Sequence, residues 1–207
     1  MKLAKLFWSS GSLLMNVVIG IYVYLMSNAP VERAARFEYI NEHWNMYGGH
    51  WKVELLLMTL VTIGALYFAL RTHEMSWTMI SVGQFVLLLT YPFMLGGYKN
   101  TPLEVAEMAN EMATIVFIFG NVVLFAGLFL LYLKDGYLKS WLKVVAFSIS
   151  GFLLVVFLII YAEIITWSQA MVIAPLANVM YLINAYYGLK IPLAIEPSTG
   201  LGAASKT

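Results

Sequence analysis

Histidine and glutamate side chains that could bind a metal ion occur where several apolar segments of the chain begin or end. His50 and Glu54 lie at the start of the second apolar segment, and Glu107 and Glu111 precede the fourth. Glutamate together with histidine suits a divalent transition metal, whereas glutamate alone suits calcium. The candidate ligands for a divalent cation are His43, His50, Glu54, Glu107, Glu111 and Glu163.

Glu163 is the strongest of these candidates because it lies within an apolar run, where an ionisable group is costly. We expect Glu54 and Glu111 to be its neighbours. Carboxylates of different helices that lie at a similar depth in the membrane repel each other. Some of them should therefore be protonated, paired with Lys52 or Lys99, or bound to a cation. The alternative is a solvated acidic rim whose glutamates cap helices without any bound ion.

Five amide side chains fall inside apolar segments, Asn16, Gln84, Asn121, Asn178 and Asn184, and the candidates for a polar path or interhelical bonding are Gln84, Asn121 and Asn178. An unpaired amide is costly in a membrane, so these side chains should face other helices rather than lipid. They either form interhelical hydrogen bonds or line a path for a polar solute. The three histidines lie outside the apolar segments, which disfavours a haem bound between helices, and the sequence identifies no cofactor.

The composition is that of a membrane protein. Hydrophobic residues make up 61% of the 207 residues and charged residues only 11%, whereas soluble domains carry roughly 25% charged residues. The formal net charge is +1, so nucleic-acid binding is not expected. The chain has no cysteine, which excludes disulfides and thiolate metal sites. The expected partner is therefore membrane lipid.

Six stretches reach the roughly 20 apolar residues that a membrane-spanning helix requires. The sequence predicts an all-α, polytopic transmembrane bundle of six helices in residues 1–190, followed by a tail at 191–207. The first stretch is longer than the apolar core of a signal peptide, so we expect the chain to retain it. The predicted spans are residues 7–26, 51–70, 75–96, 112–133, 141–166 and 169–189.

The lysine and arginine residues outside these spans predict the orientation, because cytoplasmic loops are enriched in both. The side that carries the two termini has Lys2, Lys5, Arg71, Lys134, Lys139, Lys143, Lys190 and Lys206. The opposite side has Arg33, Arg36, Lys52 and Lys99. Both termini, including the tail, are therefore expected in the cytoplasm.

An amphipathic helix on the membrane surface is predicted between the first and second spans, at residues 28–47. Asn28 is a good N-cap, and apolar residues follow at helical spacing. Gly48 and Gly49 are expected to end this helix before the second span begins.

Proline and capping patterns predict details of the other helices. Thr101 and Glu104 have the spacing of a capping box at the start of the fourth helix. Pro92 and Pro175 should kink the third and sixth helices, since proline removes a backbone hydrogen bond.

The fourth and fifth spans carry a pattern known from other proteins. The chain reads VFIFG at 116–120 and LKDGYL at 133–138, and Trp141 and Leu142 open the fifth span. Together with the long segment after the first helix, this layout resembles an uncharacterised family of small bacterial six-helix membrane proteins. The resemblance implies six helices in a bacterial cytoplasmic membrane but no activity, and Lys143 stands where members of the family often have glycine.

Three functions are compatible with these features. The favoured one is a non-catalytic accessory or assembly subunit of a larger membrane complex, because the common enzyme motifs are absent. Its partners would be other membrane protein subunits or further copies of the chain. The second is a transporter or channel for a cation or small polar solute, and the third is a membrane enzyme or metal site on the outer face.

Overall fold

The computed structural model describes residues 2–166, 169 and 171–192, and these contain helices but no strand. The predicted all-α class is confirmed for this part of the chain, whereas most of the predicted tail falls outside it. A 3₁₀ turn, Met171–Ile173, precedes the last helix. The α-helices are α1 (Lys2–Ser27), α2 (Arg33–Glu42), α3 (Trp44–Thr72), α4 (Met75–Leu88), α5 (Thr90–Gly97), α6 (Leu103–Lys134), α7 (Ser140–Tyr161) and α8 (Ala174–Lys190).

Five helices are long and apolar enough to cross a membrane, which indicates an integral membrane protein. They are α1, α3, the pair α4 and α5 taken together, α6 and α7. The last helix, α8, has 17 residues, or roughly 26 Å at 1.5 Å per residue. This length is slightly shorter than a hydrocarbon core of about 30 Å, so the sixth span stays a prediction.

The long helices pack side by side around a filled interior. Going round the bundle, α1 contacts α3, α3 contacts α4, α4 and α5 contact α6, and α6 contacts α7. Helix α8 packs mainly on α1 and also contacts α7, so it closes the bundle. We call the end of the bundle near α2 the α2 side and the opposite end, near Lys2 and Lys190, the terminal side.

Glycine allows the closest of these approaches, between α4 and α6. A Cβ atom placed on Gly83 would lie 2.5 Å from the backbone nitrogen of Leu124 and 2.9 Å from the carbonyl oxygen of Gly120. A Cβ on Gly127 would lie 2.7 Å from the backbone nitrogen of Ile80. The two backbones therefore touch, as is common where small residues line a helix contact in membranes.

The predicted surface helix is shorter than expected and ends differently. It begins at Arg33 with Glu32 as its N-cap, and it stops at Glu42. Gly48 and Gly49 lie inside α3, so the prediction that they end a helix is wrong. The chain has already turned at His43, and the first turns of α3 extend above the apolar stretch because they bury aromatic side chains.

Two further local predictions need correction. Pro175 lies in the first turn of α8 and starts that helix instead of kinking it. The capping box also fails to form, because no side chain caps α6 and the hydroxyl of Thr101 donates to the carbonyl of Gly97 instead. Pro92 does interrupt its helix, since α4 ends at Leu88 and α5 begins at Thr90.

The start of α2 leads to a pH prediction. The Glu32 carboxylate accepts hydrogen bonds from the backbone N–H groups of Ala34 and Ala35 at 3.0 and 2.6 Å. These bonds hold the pKa of Glu32 below its usual range. A lowered pKa in the folded state means that the cap stabilises α2 above the unfolded pKa of about 4.3. This stabilisation should be lost as the pH falls through the folded pKa.

Hydrogen exchange of the α2 backbone amides, corrected for the intrinsic rate at each pH, measures this effect. Exchange should accelerate on acidification in the wild type, and Glu32→Gln should remove most of the pH dependence. Glu38→Gln is the matched control, because Glu38 is an exposed glutamate within the same helix. Equal pH dependence in Glu32→Gln and wild type would contradict the capping role.

Candidate functional site

Polar side chains from five helices meet inside the bundle towards its α2 side. Each of them interacts with at least one other member, and several are deeply buried. We call this set the Glu54 cluster. Its members are Tyr22 of α1, His50 and Glu54 of α3, Gln84 of α4, Tyr91 of α5 and Tyr181 of α8.

His50 and Glu54 form the centre of the cluster. They are four residues apart in α3 and therefore project from the same face of the helix. The imidazole Nε2 lies 3.8 Å from a carboxylate oxygen, and the two side chains are only 6% and 18% exposed. That nitrogen has no hydrogen-bond partner, while the ring stacks on Tyr22 with 5.8 Å between ring centroids. The pair is thus close enough for an ion pair but is not locked by a hydrogen bond.

Tyrosine hydroxyls approach the carboxylate from two other helices. The hydroxyl of Tyr91 is within hydrogen-bonding reach of Glu54. Tyr181 interacts electrostatically with Glu54, and its hydroxyl lies 3.7 Å from the sulfur of Met58. Among the described residues, no lysine or arginine lies within ion-pairing distance of Glu54.

Gln84 extends the cluster towards the middle of the bundle. Its side chain is completely buried, and neither its amide nitrogen nor its oxygen has a partner with hydrogen-bond geometry. The amide still interacts with the hydroxyl of Tyr181. The break between α4 and α5 falls at Leu89, between Gln84 and Tyr91. Both sides of this interruption thus contribute a polar side chain to the cluster.

The other two predicted amides have different surroundings. The backbone carbonyl of Asn178, one turn before Tyr181, accepts a hydrogen bond of 2.8 Å from Asn16. The side-chain oxygen of Asn178 is buried without a partner. Asn121 instead donates to the carbonyl of Phe117 on its own helix at 2.8 Å. Gln84 and Asn178 therefore keep unused hydrogen-bonding capacity, whereas Asn121 is satisfied locally.

Two glutamates of α6, Glu107 and Glu111, form ion pairs with α2 at the surface. Arg33 is 3.8 Å from Glu107 and 3.3 Å from Glu111. His43 is exposed, and its Nδ1 lies 2.9 Å from the carbonyl of Tyr39. His43, Glu107 and Glu111 are thus engaged in contacts at the surface and do not belong to the Glu54 cluster.

Glu163 lies outside the helix in which it was predicted. Helix α7 ends at Tyr161, and Glu163 follows with a φ of 57° and an exposed side chain. It borders a cavity of about 340 Å³ whose other walls come from Ile115, Ile118 and Ile160. Glu163 therefore does not lie within a membrane helix, as the sequence had predicted.

The six candidate metal ligands occupy separate places in the structure. His50 and Glu54 form one pair, Glu107 and Glu111 share Arg33, and the remaining two candidates stand apart. In residues 2–166, 169 and 171–192, no three histidine, aspartate or glutamate side chains are placed to hold a metal ion. The divalent cation stays a prediction, and His50 with Glu54 is the only part of it that lies in the bundle interior.

Sequence reasoning missed the tyrosines of the cluster. Tyr22, Tyr91 and Tyr181 look like ordinary members of apolar segments. A usable signal was present, since a tyrosine hydroxyl within a membrane segment requires a polar partner. Which tyrosines share a partner depends on helix contacts that the sequence does not show.

Aromatic side chains fill the bundle on the terminal side. Trp77 contacts Trp8, Phe68 and Tyr187, with ring centroids 5.1, 4.6 and 6.2 Å apart. The indole of Trp8 in this layer donates to the carbonyl of Asn184 at 2.9 Å, whereas the buried hydroxyl of the adjacent Ser9 has no hydrogen-bond partner. The unpaired polar atoms of the Glu54 cluster thus lie above a packed aromatic layer.

Comparison of the chain with protein-family models, curated proteins and solved structures gives no match. The resemblance to the small bacterial six-helix family therefore rests on layout alone, and a function has to be argued from the Glu54 cluster.

Proposed function

We propose that the protein is a transporter or channel for a cation or small polar solute and that the Glu54 cluster is its binding site. The observation that carries the proposal is a set of unpaired polar atoms in the bundle interior. Within the Glu54 cluster these atoms are Nε2 of His50 and both amide atoms of Gln84, which have no partner with hydrogen-bond geometry. A solute with donors and acceptors, or a cation, would satisfy them.

The energetic cost of these atoms supports a functional role. Each buried polar group without a partner costs about 1–3 kcal/mol. A leucine or methionine at position 84 would avoid that cost while filling a similar volume. An ionisable group in a membrane segment is also a functional candidate, and Glu54 lies in the second predicted span with His50 one turn before it.

The architecture around the cluster fits the same proposal. The helix interruption at Leu89 lies between Gln84 and Tyr91, and interrupted helices are common where transporters bind their substrates. In the proposed topology α8 is the sixth span, α2 lies at the outer surface, and the solute enters from that side. Both termini then lie in the cytoplasm, and the membrane is the bacterial cytoplasmic membrane that the resemblance implies.

The topology makes a direct prediction. A reporter enzyme that works only in the cytoplasm should be active when it is fused after Lys206. A reporter enzyme that works only outside the cytoplasm should be active when it is inserted beside Glu38. The physical reason is the excess of lysine and arginine on the terminal side. Activity of the Lys206 fusion outside the cytoplasm would reverse the orientation.

Transport is tested with purified protein in lipid vesicles. A potassium diffusion potential is imposed, and its decay is followed with a potential-sensitive dye while sodium, ammonium or protons are offered in turn. Uncharged polar solutes are tested by vesicle swelling. Vesicles with wild-type protein should conduct at least one of these solutes faster than empty vesicles, and Glu54→Gln should abolish the difference.

The matched control is Glu104→Gln, because Glu104 is an exposed glutamate in the first turn of α6 and lies outside the cluster. It should conduct like the wild type. If the wild-type protein matches empty vesicles for every solute, the transport proposal fails.

The accessory-subunit and membrane-enzyme hypotheses stay predictions. Mass spectrometry of the gently solubilised assembly separates them from transport. An accessory subunit should be recovered with the same partner proteins in fixed stoichiometry, and a metal enzyme should be recovered with a stoichiometric ion.

A further inference from the structure

We propose that the ligand held between Glu54 and His50 is a proton. This deepens the proposed function, on which it rests, by naming the cation. The pair is buried, it is separated by 3.8 Å, and the imidazole nitrogen that faces the carboxylate has no hydrogen-bond partner.

The composition of the site favours a proton over a metal ion. Calcium takes six to eight oxygen ligands and magnesium six, but the described residues supply one carboxylate and no group of three metal-ligating side chains. Two cavities, of about 590 and 340 Å³, lie elsewhere, one between α2 and the start of α6 and the other beside Glu163. A proton needs neither a coordination shell nor a cavity.

The charges of the pair explain how one proton can be held and released. With the one proton on the carboxyl group, the pair is a carboxylic acid beside a neutral imidazole, and its net charge is zero. Loss of that proton leaves a buried charge of −1, and gain of a second leaves +1. Isolated charges are costly in a low-dielectric interior, so the singly protonated pair is the stable state.

The side chains around Glu54 and His50 keep their own charge near neutral pH, so only the proton of the pair can be exchanged. Tyr22, Tyr91 and Tyr181 face the carboxylate from α1, α5 and α8, and a tyrosine gives up its proton only near pH 10. Arg36 of α2 is a fixed cation that interacts electrostatically with Tyr22. Its guanidinium donates to two backbone carbonyls, at 2.9 and 2.8 Å, so it does not pair with Glu54.

Infrared difference spectroscopy of the purified protein in detergent tests the proposal. The carbonyl stretch of a protonated carboxylic acid is followed while the pH is changed from about 5 to about 8, the range in which imidazole titrates. The wild type should show a band that titrates in this range. The band should be absent in Glu54→Gln, and in His50→Gln it should persist with a midpoint moved by on the order of one pH unit.

Glu104→Gln controls for the loss of a glutamate as such and should leave the band unchanged. Each variant is also checked by size-exclusion chromatography and thermal unfolding, and His50→Gln tests the pair even if Glu54→Gln does not fold. Three results would each overturn the proposal: a titrating band that persists in Glu54→Gln, a midpoint that is the same in His50→Gln and wild type, or no titrating band in the wild type.

The spectroscopic measurement does not require transport. A band without flux therefore contradicts the transport proposal alone, and flux without a band contradicts the proton site alone.

Discussion

Replacing Gly83 by alanine is expected to lower the free energy of unfolding by about 1–3 kcal/mol or more, as overpacking does in other cores. The added Cβ would lie 2.5 and 2.8 Å from the nitrogen and Cα of Leu124, and 2.9 Å from the oxygen of Gly120. These are backbone atoms, so no side-chain rotation relieves the clash and α4 must move away from α6. Thermal unfolding in detergent, followed by far-UV circular dichroism, measures the effect.

Gly20→Ala is the matched control. Gly20 lies in the middle of α1, and a Cβ there would have no atom within 4 Å. Alanine is favoured over glycine in a helix by about 1 kcal/mol, so this variant should be as stable as the wild type or more stable. If Gly83→Ala unfolds at the same temperature as Gly20→Ala, the backbones of α4 and α6 are not in contact.

The long helices were predictable from the sequence because their signal is strong. Each of the first five predicted spans overlaps with one of the five long apolar helices, since a run of about 20 apolar residues has few alternatives in a membrane protein. Local signals were less reliable. Gly48 and Gly49 remain helical because the first turns of α3 bury Tyr47 and Trp51, and this packing outweighs the low helix propensity of glycine.

The part of the Glu54 cluster that could be predicted from the sequence is the part contributed by a single helix. The spacing of four residues places His50 and Glu54 on one face of α3 whatever the rest of the fold. Tyr91 and Tyr181 join them through contacts between helices far apart in sequence. Glu163 was placed in the fifth span because apolar residues continue past Tyr161, although the chain leaves the helix there.

The prediction that best separates structure from function concerns Gln84. Gln84→Leu removes two buried amide atoms that lack hydrogen-bond partners and keeps most of the apolar volume. The free energy of unfolding should therefore stay the same or rise by about 1 kcal/mol. Flux through lipid vesicles should fall to that of empty vesicles, because the Glu54 cluster loses its amide. A variant that gains stability while losing function is typical of a residue retained for activity.

Asn121→Leu is the matched control, because Asn121 is an amide of another membrane helix whose nitrogen is hydrogen-bonded within that helix. Losing this bond should cost about 0.5–1.5 kcal/mol and leave flux unchanged. The two variants are thus expected to show opposite patterns in thermal unfolding and vesicle flux. If Gln84→Leu is destabilised and still conducts like the wild type, Gln84 is a structural amide. The polar interior would then contribute to helix packing in α4 and α8 rather than to a solute path.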